Sequence, residues 1–187
     1  RVDKLANEYE IAVEGRAYLL RPDTPKEGAD RPQRPGETPE ELSEPLRGQA
    51  EDAGLIMKPP VRTPNTLYAL EATEYAQQHG KFLEFHHAAY KAFWEDRKDL
   101  GELEVLHKVA HEVGLDGDNM IKSLEEKTYA ETVMGQYQEA LQYGISGIPT
   151  FLVGNLLFTG AHPYNIFKSA MERFLTEGVP PATEGEG

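Results

Sequence analysis

Residues 144–153 read Gly-Ile-Ser-Gly-Ile-Pro-Thr-Phe-Leu-Val. They are the starting point for predicting the fold of the rest of the chain. A glycine on either side of a dipeptide lets the backbone turn a tight corner. Pro149 then opens an apolar run. Because proline has no N–H to donate to a ladder, it occurs at the first residue of a strand or on an edge strand. The stretch therefore predicts a corner followed by a strand.

The residues after this strand predict a β-hairpin and then a helix. Residues 154–155, Gly-Asn, separate the first apolar run from residues 156–158, Leu-Leu-Phe. A Gly-Asn pair between two apolar runs is typical of a two-residue hairpin turn. Beyond residues 160–163, Gly-Ala-His-Pro, apolar side chains recur at helical spacing. The predicted order is helix, proline corner, hairpin and helix.

Composition limits the classes of function. The chain has 187 residues, a size that suits one domain or one domain with an insertion. Its net charge of −13 argues against nucleic acid or an anionic membrane surface as a partner. No apolar run approaches the ~20 residues of a membrane span. The chain has no cysteine, which excludes disulfides, thiolate metal sites and thiol catalysis by these residues themselves.

The first half of the chain predicts a helix, a strand, a linker and a second helix. Residues 1–10 carry an apolar stripe of helical spacing, and Ile11–Leu20 are expected to form a strand covered on both sides. Six prolines between Arg21 and Pro45 indicate a surface linker. Thr38, followed by Pro39 and by Glu41, predicts a capped helix start.

The middle of the chain predicts a run of amphipathic helices. They are expected at 64–79, at 81–94, from Leu103 to Val113, from Asp118 over a short span, and from Thr128 to Tyr143. An aromatic stripe in the second of these helices is assigned to the core, with Phe82, Phe85 and Phe93 inside.

These blocks together resemble the DsbA-like oxidoreductase family, most of all its FrnE-like branch. The resemblance rests on residues 144–153 with their hairpin, on Thr-Gly-Ala-His-Pro at 159–163, and on Arg-Thr-Pro-Asn-Thr at 62–66 before a helix ending in Gln-His-Gly-Lys at 78–81. It implies an α/β, thioredoxin-like fold with an inserted all-helical domain. The implied thioredoxin-like parts are 1–37 and 128–178, the helical insertion is 38–127, and 179–187 is expected to be a disordered tail.

The resemblance also implies a substrate-binding site and an activity. The Ile148–Pro149 peptide is expected to be cis, and the expected substrate-binding residues are Ile148, Pro149, Thr150, Asn65 and His162. The implied activity is thiol–disulfide exchange, on protein or small thiol substrates. The family performs it with Cys-x-x-Cys at the start of a helix, where the helix dipole stabilises the thiolate.

This chain provides no catalytic residue for that reaction. The strand and the Cys-x-x-Cys turn that the resemblance calls for are expected upstream of Arg1. A strand of ~5–6 residues, its connection and one or two helix turns amount to roughly two dozen residues.

Two other functions stay open. Relatives in the 2-hydroxychromene-2-carboxylate isomerase and kappa-class glutathione transferase branch use glutathione, for which Asn65 and the Ile148 backbone would be contacts. A cysteine-free chain of this kind could also serve as a peptide-binding module. Apart from that glutathione alternative no cofactor is expected, and no metal, because His107 and His111 lack a third ligand. A cytoplasmic location is expected, and a homodimer is left open.

Overall fold

A computed structural model describes residues Arg1–Gly178, so the predicted tail at 179–187 lies outside the described residues. The chain forms two compact units. The first contains residues 1–14 and 139–178, and the second contains residues 15–138. The domain boundaries at 37/38 and 127/128 stay predictions.

The described residues form helices and two small antiparallel sheets. In chain order the elements are α1 (Val2–Tyr9), β1 (Ala29–Asp30), α2 (Leu46–Asp52), β2 (Arg62–Thr63), α3 (Leu67–Gln78), α4 (Phe82–Trp94), α5 (Leu103–Glu112), α6 (Gly117–Glu125), α7 (Ala130–Gln142), β3 (Thr150–Val153), β4 (Leu156–Thr159) and α8 (Tyr164–Glu177). β1 pairs with β2, and β3 pairs with β4. The predicted helix at 64–79 begins three residues later than expected, at Leu67.

The first unit packs one face of the β3–β4 hairpin against helices. Leu5 of α1 and Phe167 and Met171 of α8 form its buried core cluster, and Phe151 and Phe158 of the hairpin pack against them. The Phe167 ring meets both hairpin rings nearly edge to face, with centroids 4.7 and 5.3 Å away. Because side chains alternate along a strand, the two neighbouring pairs, Thr150 with Thr159 and Leu152 with Leu157, face away from the helices.

The hairpin turn has the two residues that the sequence predicts. Val153 pairs with Leu156, which leaves Gly154 and Asn155 as the turn. Gly154 has a φ of +61°, in the left-handed region that favours glycine. A Cβ there would also lie 2.3 Å from the ring of Phe174, so any other residue would displace that ring.

The second unit is built around the helices α3 to α6. Its core combines alanines on α3 and α4, which let helices approach closely, with large side chains on α4 to α6. Phe85, Leu106 and Met120 are completely buried. Phe93 packs against this core as a partly buried residue. The aromatic face of α4 therefore points inward.

The predicted strand at Ile11–Leu20 is wrong. Residues 11–19 form neither helix nor strand. Side-chain amides take the backbone N–H groups that a strand would donate: Gly15 donates to Gln77 Oε1 at 3.1 Å, and Ala17 donates to Gln136 Oε1 at 2.5 Å. The segment is irregular and partly buried, and its apolar pattern reflects that burial.

The predicted helix start at Thr38 is also wrong. The Thr38 hydroxyl does accept from the N–H of Glu40 and of Glu41, as a helix cap would. However, the N–H of Thr38 donates to the carbonyl of Glu41, which closes a turn, and helix α2 begins only at Leu46. Pro45 precedes it through a cis peptide bond that the sequence analysis did not predict.

Candidate functional site

The proline corner lies between the end of α7 and the start of β3. Gly144 ends the helical segment with a φ of +72°, and the N–H of Ile145 donates back to the carbonyl of Ala140. The Ile148–Pro149 peptide bond is cis. Ile148 is 47% exposed, and Pro149 is also exposed. The corner therefore presents an apolar surface to solvent.

Hydrogen bonds attach this corner to the hairpin. The N–H of Gly160 donates to the carbonyl of Pro149 at 2.8 Å, one step beyond the last pair of the β3–β4 ladder. The Thr150 hydroxyl lies 2.8 Å from the carbonyl of Gly147 and 2.8 Å from the Thr159 hydroxyl. These bonds fix the backbone on both sides of Pro149.

The outer edge of β3 is available for pairing. In an antiparallel ladder, hydrogen-bonded and non-hydrogen-bonded pairs alternate. Since Pro149 and Gly160 are hydrogen-bonded, the pairs Thr150–Thr159 and Leu152–Leu157 are of the other kind. The N–H and C=O groups of Thr150 and Leu152 therefore point away from β4. Among the residues that the structure describes, no strand pairs with this edge.

An exposed apolar face accompanies this edge. Leu152 and Leu157 lie opposite each other on the face turned away from the helices, and they are 60% and 44% exposed. Thr150 and Thr159 continue the same face toward the proline corner. A segment added to β3 would meet leucine and threonine side chains there.

His162 lies at the other side of the corner. Its Nε2 is 3.0 Å from the carbonyl of Thr159, and its ring is 6.0 Å from the ring of Phe158. Since a carbonyl only accepts, Nε2 carries the proton in this contact. His162 is thus held at the end of β4, and its part in substrate binding stays a prediction.

Asn65 belongs to the second unit, whereas the four other predicted site residues belong to the first. Its Nδ2 donates to the carbonyl of Thr24 at 2.7 Å, and its Oδ1 accepts from the N–H of Leu67 at 3.0 Å. Both ends of the amide are therefore engaged within the second unit. Asn65 accepts from the first N–H of α3, just before which Thr66 is the N-cap residue, and it donates to the proline-rich segment.

The corner is suited to binding a substrate and not to making or breaking covalent bonds. Residues 147–150, Gly-Ile-Pro-Thr, contain no titratable side chain, and the chain has no cysteine. In the described part of the chain, no three His, Cys, Asp or Glu side chains come together as a metal site would require. His107, considered in the sequence analysis as a ligand, is 3.0 Å from Asp118 Oδ1.

Three of the four buried polar residues in the described part of the chain lie on helices, and the sequence did not reveal them. Glu71, Glu74 and Gln136 are between 1% and 8% exposed, all in the second unit. Gln136 Nε2 donates to Glu74 Oε1 at 2.8 Å. Burial raises the pKa of Glu71, whose Oε2 has no hydrogen-bond partner among residues 1–178. Polar residues that interrupt an apolar helical face are the sequence signal that could have revealed them.

Within residues 1–178, no helix is both long and apolar enough to cross a bilayer.

Comparisons with known proteins identify relatives of this chain. The protein YwbO of Bacillus subtilis (strain 168), itself uncharacterized, is 29% identical over 129 residues, which cover 67% of this chain and 64% of YwbO. The chain thus spans somewhat less than two thirds of that relative. The crystal structure of a probable DsbA oxidoreductase from Streptomyces coelicolor matches with a TM-score of 0.66 and 25% identity, over 71% of this chain and 58% of that chain.

A second solved structure shares the fold over more of the chain. A 2-hydroxychromene-2-carboxylate isomerase matches with a TM-score of 0.71 over 95% of this chain and 88% of its own. At 18% identity this likeness shows the fold alone.

A family model settles the relationship. The model of the DSBA-like thioredoxin domain matches residues 1–172, which is nearly all of the described structure. The mostly helical architecture with small sheets agrees with the predicted thioredoxin-like fold and its helical insertion. The chain therefore belongs to the DSBA-like thioredoxin domain family.

Proposed function

We propose that this chain binds the substrate of a thiol–disulfide exchange reaction at the Pro149 corner. The observation that carries the proposal is the unpaired edge of β3 beside the exposed residues Ile148 and Pro149. An extended polypeptide can add to such an edge as a further strand, with backbone hydrogen bonds to Thr150 and Leu152. The likeness to a probable DsbA oxidoreductase at 25% identity supports the same reaction class.

The chemistry of this proposal needs thiols that these 187 residues do not contain. Exchange proceeds by attack of a thiolate on a disulfide sulfur, and the attacking and resolving thiols would belong to residues outside this sequence. The Pro149 corner would hold the substrate chain while that exchange takes place. Protein or small-molecule thiols and disulfides are the proposed partners, while the cytoplasmic location and the homodimer stay predictions.

The binding step can be tested with two prolines placed opposite each other. Leu152→Pro removes an N–H on the outer edge of β3, and Leu157→Pro removes the corresponding N–H on the outer edge of β4. The probe is reduced, carboxamidomethylated lysozyme, an unfolded chain with no free thiol. We expect Leu152→Pro to weaken its binding at least tenfold and Leu157→Pro to leave it within twofold.

Amide NMR signals locate the binding. In the unsubstituted chain, the signals of Thr150 and Leu152 should shift on titration, because their N–H groups would gain carbonyl partners. Binding at the edge of β3 would be contradicted if the two proline variants lost the same affinity for the probe. It would also be contradicted if the amide signals shifted only in other segments.

The absence of cysteine favours a second candidate, a peptide-binding module without exchange chemistry. Both candidates predict binding at β3, so activity separates them. The rate at which the full natural protein oxidises a reduced dithiol peptide in a glutathione buffer should exceed the buffer rate if exchange is the function. Intact binding with no such excess would favour the module. For the glutathione-dependent alternative, the isomerase structure supports only a shared fold.

A further inference from the structure

A small cavity in the second unit lies beside the loop that follows α4. Its volume is about 20 Å³, which is room for about one water molecule or one oxygen atom of a ligand. Its lining combines apolar residues with charged ones, among them Pro60, Phe93, Arg62, Arg97, Lys98 and Asp99. None of these residues has a role in the proposed binding of substrate at β3.

A tight turn after α4 brings two of the cationic side chains to this cavity. Arg97 has a φ of +57°, in the left-handed region that residues other than glycine seldom adopt. The N–H of Lys98 then donates back to the carbonyl of Ala92 at 2.8 Å, which closes the turn. Arg97 and Lys98 are therefore held together where the helix ends.

One edge of the Arg97 guanidinium has no acceptor. Nη1 donates to Glu40 Oε1 at 3.1 Å, whereas Nε and Nη2 are buried and have no hydrogen-bond partner within the described residues. Nε and Nη2 carry the two parallel N–H groups with which a guanidinium binds an oxyanion bidentately. Because buried donors normally have acceptors, this edge indicates a ligand that brings two acceptor atoms.

The charges around the cavity favour an anionic ligand. Arg62, Arg97 and Lys98 carry three positive charges. Glu40 and Asp99, the carboxylates nearest to the two arginines, carry two negative charges. One positive charge is therefore in excess, in a chain whose net charge is −13. The side chain of Glu40 is 72% exposed, so water screens its attraction to Arg97.

We propose that this cavity binds the carboxylate group of a small molecule, with Arg97 as its bidentate partner. The two carboxylate oxygens accept from Nε and Nη2, and Lys98 adds a second positive charge nearby. The apolar part of the ligand contacts Pro60 and Phe93. Since Nε and Nη2 are covered, the ligand enters by displacing side chains at the opening, such as the exposed Lys98.

A carboxylate fits this cavity better than a phosphate group does. Its single negative charge matches the single positive charge in excess, whereas a phosphate group carries about 1.5 to 2 negative charges at neutral pH. A planar group also fits a cavity of about 20 Å³ more easily than a tetrahedral one. The site does not involve the β3 edge, so this proposal and the proposed function can fail separately.

Benzoate, benzamide and inorganic phosphate provide the probes at neutral pH. Benzamide has nearly the shape of benzoate but no charge. The Nε–H signal of Arg97, in nitrogen-15 NMR spectra of the whole chain, reports contact at the guanidinium directly. We expect benzoate to shift this signal and to bind at least tenfold more tightly than benzamide or phosphate. Equal shifts with benzamide, tighter binding of phosphate, or no shift with any probe would overturn the proposal.

A variant that keeps the charge tests the guanidinium edge. Arg97→Lys removes the two parallel N–H groups, and Arg173→Lys makes the same change at an exposed site on α8. The backbone N–H signals of Lys98 and Gly101 follow binding in both variants. We expect Arg97→Lys to weaken the binding of benzoate at least tenfold and Arg173→Lys to change it less than twofold.

A second pair of variants changes the charge at exposed sites, where the fold should persist even if Arg97→Lys impairs it. Lys98→Met should weaken the binding of benzoate at least threefold. Lys122→Met, on α6, makes the same change in net charge and should have less than half that effect. Circular dichroism checks that each variant is folded. Equal effects within either pair would show that the cavity does not hold the carboxylate, which would overturn the proposal.

Discussion

Gln136 links an irregular segment of the second unit to its helical core. Its Oε1 accepts from the N–H of Ala17, and its Nε2 donates to Glu74 Oε1. Gln136 is 8% exposed, Ala17 7% and Glu74 3%. Replacing Gln136 with leucine keeps a side chain of similar size and removes both hydrogen bonds.

The expected cost follows from the groups left without a partner. A buried polar group that loses its hydrogen bond costs about 1–3 kcal/mol, so two of them cost about 2–6 kcal/mol. The additional apolar surface of leucine offsets about 1–2 kcal/mol of this. At the midpoints of these ranges, we expect Gln136→Leu to lower the free energy of unfolding by about 2.5 kcal/mol, a large part of the ~5–15 kcal/mol that holds a typical domain folded.

Urea unfolding, followed by the fluorescence of Trp94, measures this loss. Trp94 is the only tryptophan, and it lies in the same unit. Gln138→Leu is the matched control, since it makes the same change two residues later on α7 at an exposed position. It should change the unfolding free energy by less than about 0.5 kcal/mol.

A double variant tests the cause of the loss. Adding Glu74→Leu to Gln136→Leu removes the carboxylate that had lost its donor, so part of the stability should return. If Gln136→Leu is as stable as Gln138→Leu, the amide does not hold the segment at Ala17, and the account of the missing strand is refuted.

Three further predictions concern single side chains. Burial raises the pKa of Glu71, so this carboxyl binds a proton more tightly in the folded protein than in the unfolded chain. The unfolding free energy of the wild type should therefore fall, relative to that of Glu71→Gln, as the pH rises above the ordinary pKa range of glutamate. Urea unfolding at several pH values measures this trend, which would be absent if the carboxyl were hydrated. Lys168→Met should raise the lowered pKa of Glu8, seen by NMR of its carboxyl carbon, whereas Lys108→Met should not. Phe85→Ala should cost about 3–5 kcal/mol of unfolding free energy and Tyr90→Ala, half-exposed on the same helix, far less; similar losses would mean that α4 is rotated.

The sequence predicted correctly those elements that depend only on residues close together in the chain. The Gly-Asn turn, the glycine that ends α7 and the helical spacing of α4 and α5 all depend on residues within a few positions of one another. Phe85 is completely buried as the aromatic stripe required. The hairpin and most of the helices therefore follow from chain-local rules.

The candidate site was predictable only in part, for a similar reason. The corner at Pro149 could be identified from its glycines and from the apolar run after it, and its position beside the hairpin follows from the turn. The engagement of Asn65 by the carbonyl of Thr24, 41 positions earlier in the chain, could not. Its amide is occupied by a contact that no spacing rule describes.

The segment at Ile11–Leu20 shows why an apolar run need not be a strand. A run of β-type residues indicates an extended and buried backbone, but strand formation also requires a neighbouring strand to accept its N–H groups. Here amide side chains from α3 and α7 take that role for Gly15 and Ala17, the second from 119 positions away. Since glutamine provides both an acceptor and a donor, Gln136 can satisfy the backbone at one end and a buried carboxylate at the other. The partial burial of the segment was thus predictable from its apolar residues, whereas its hydrogen-bond partners were set by the packing of distant helices.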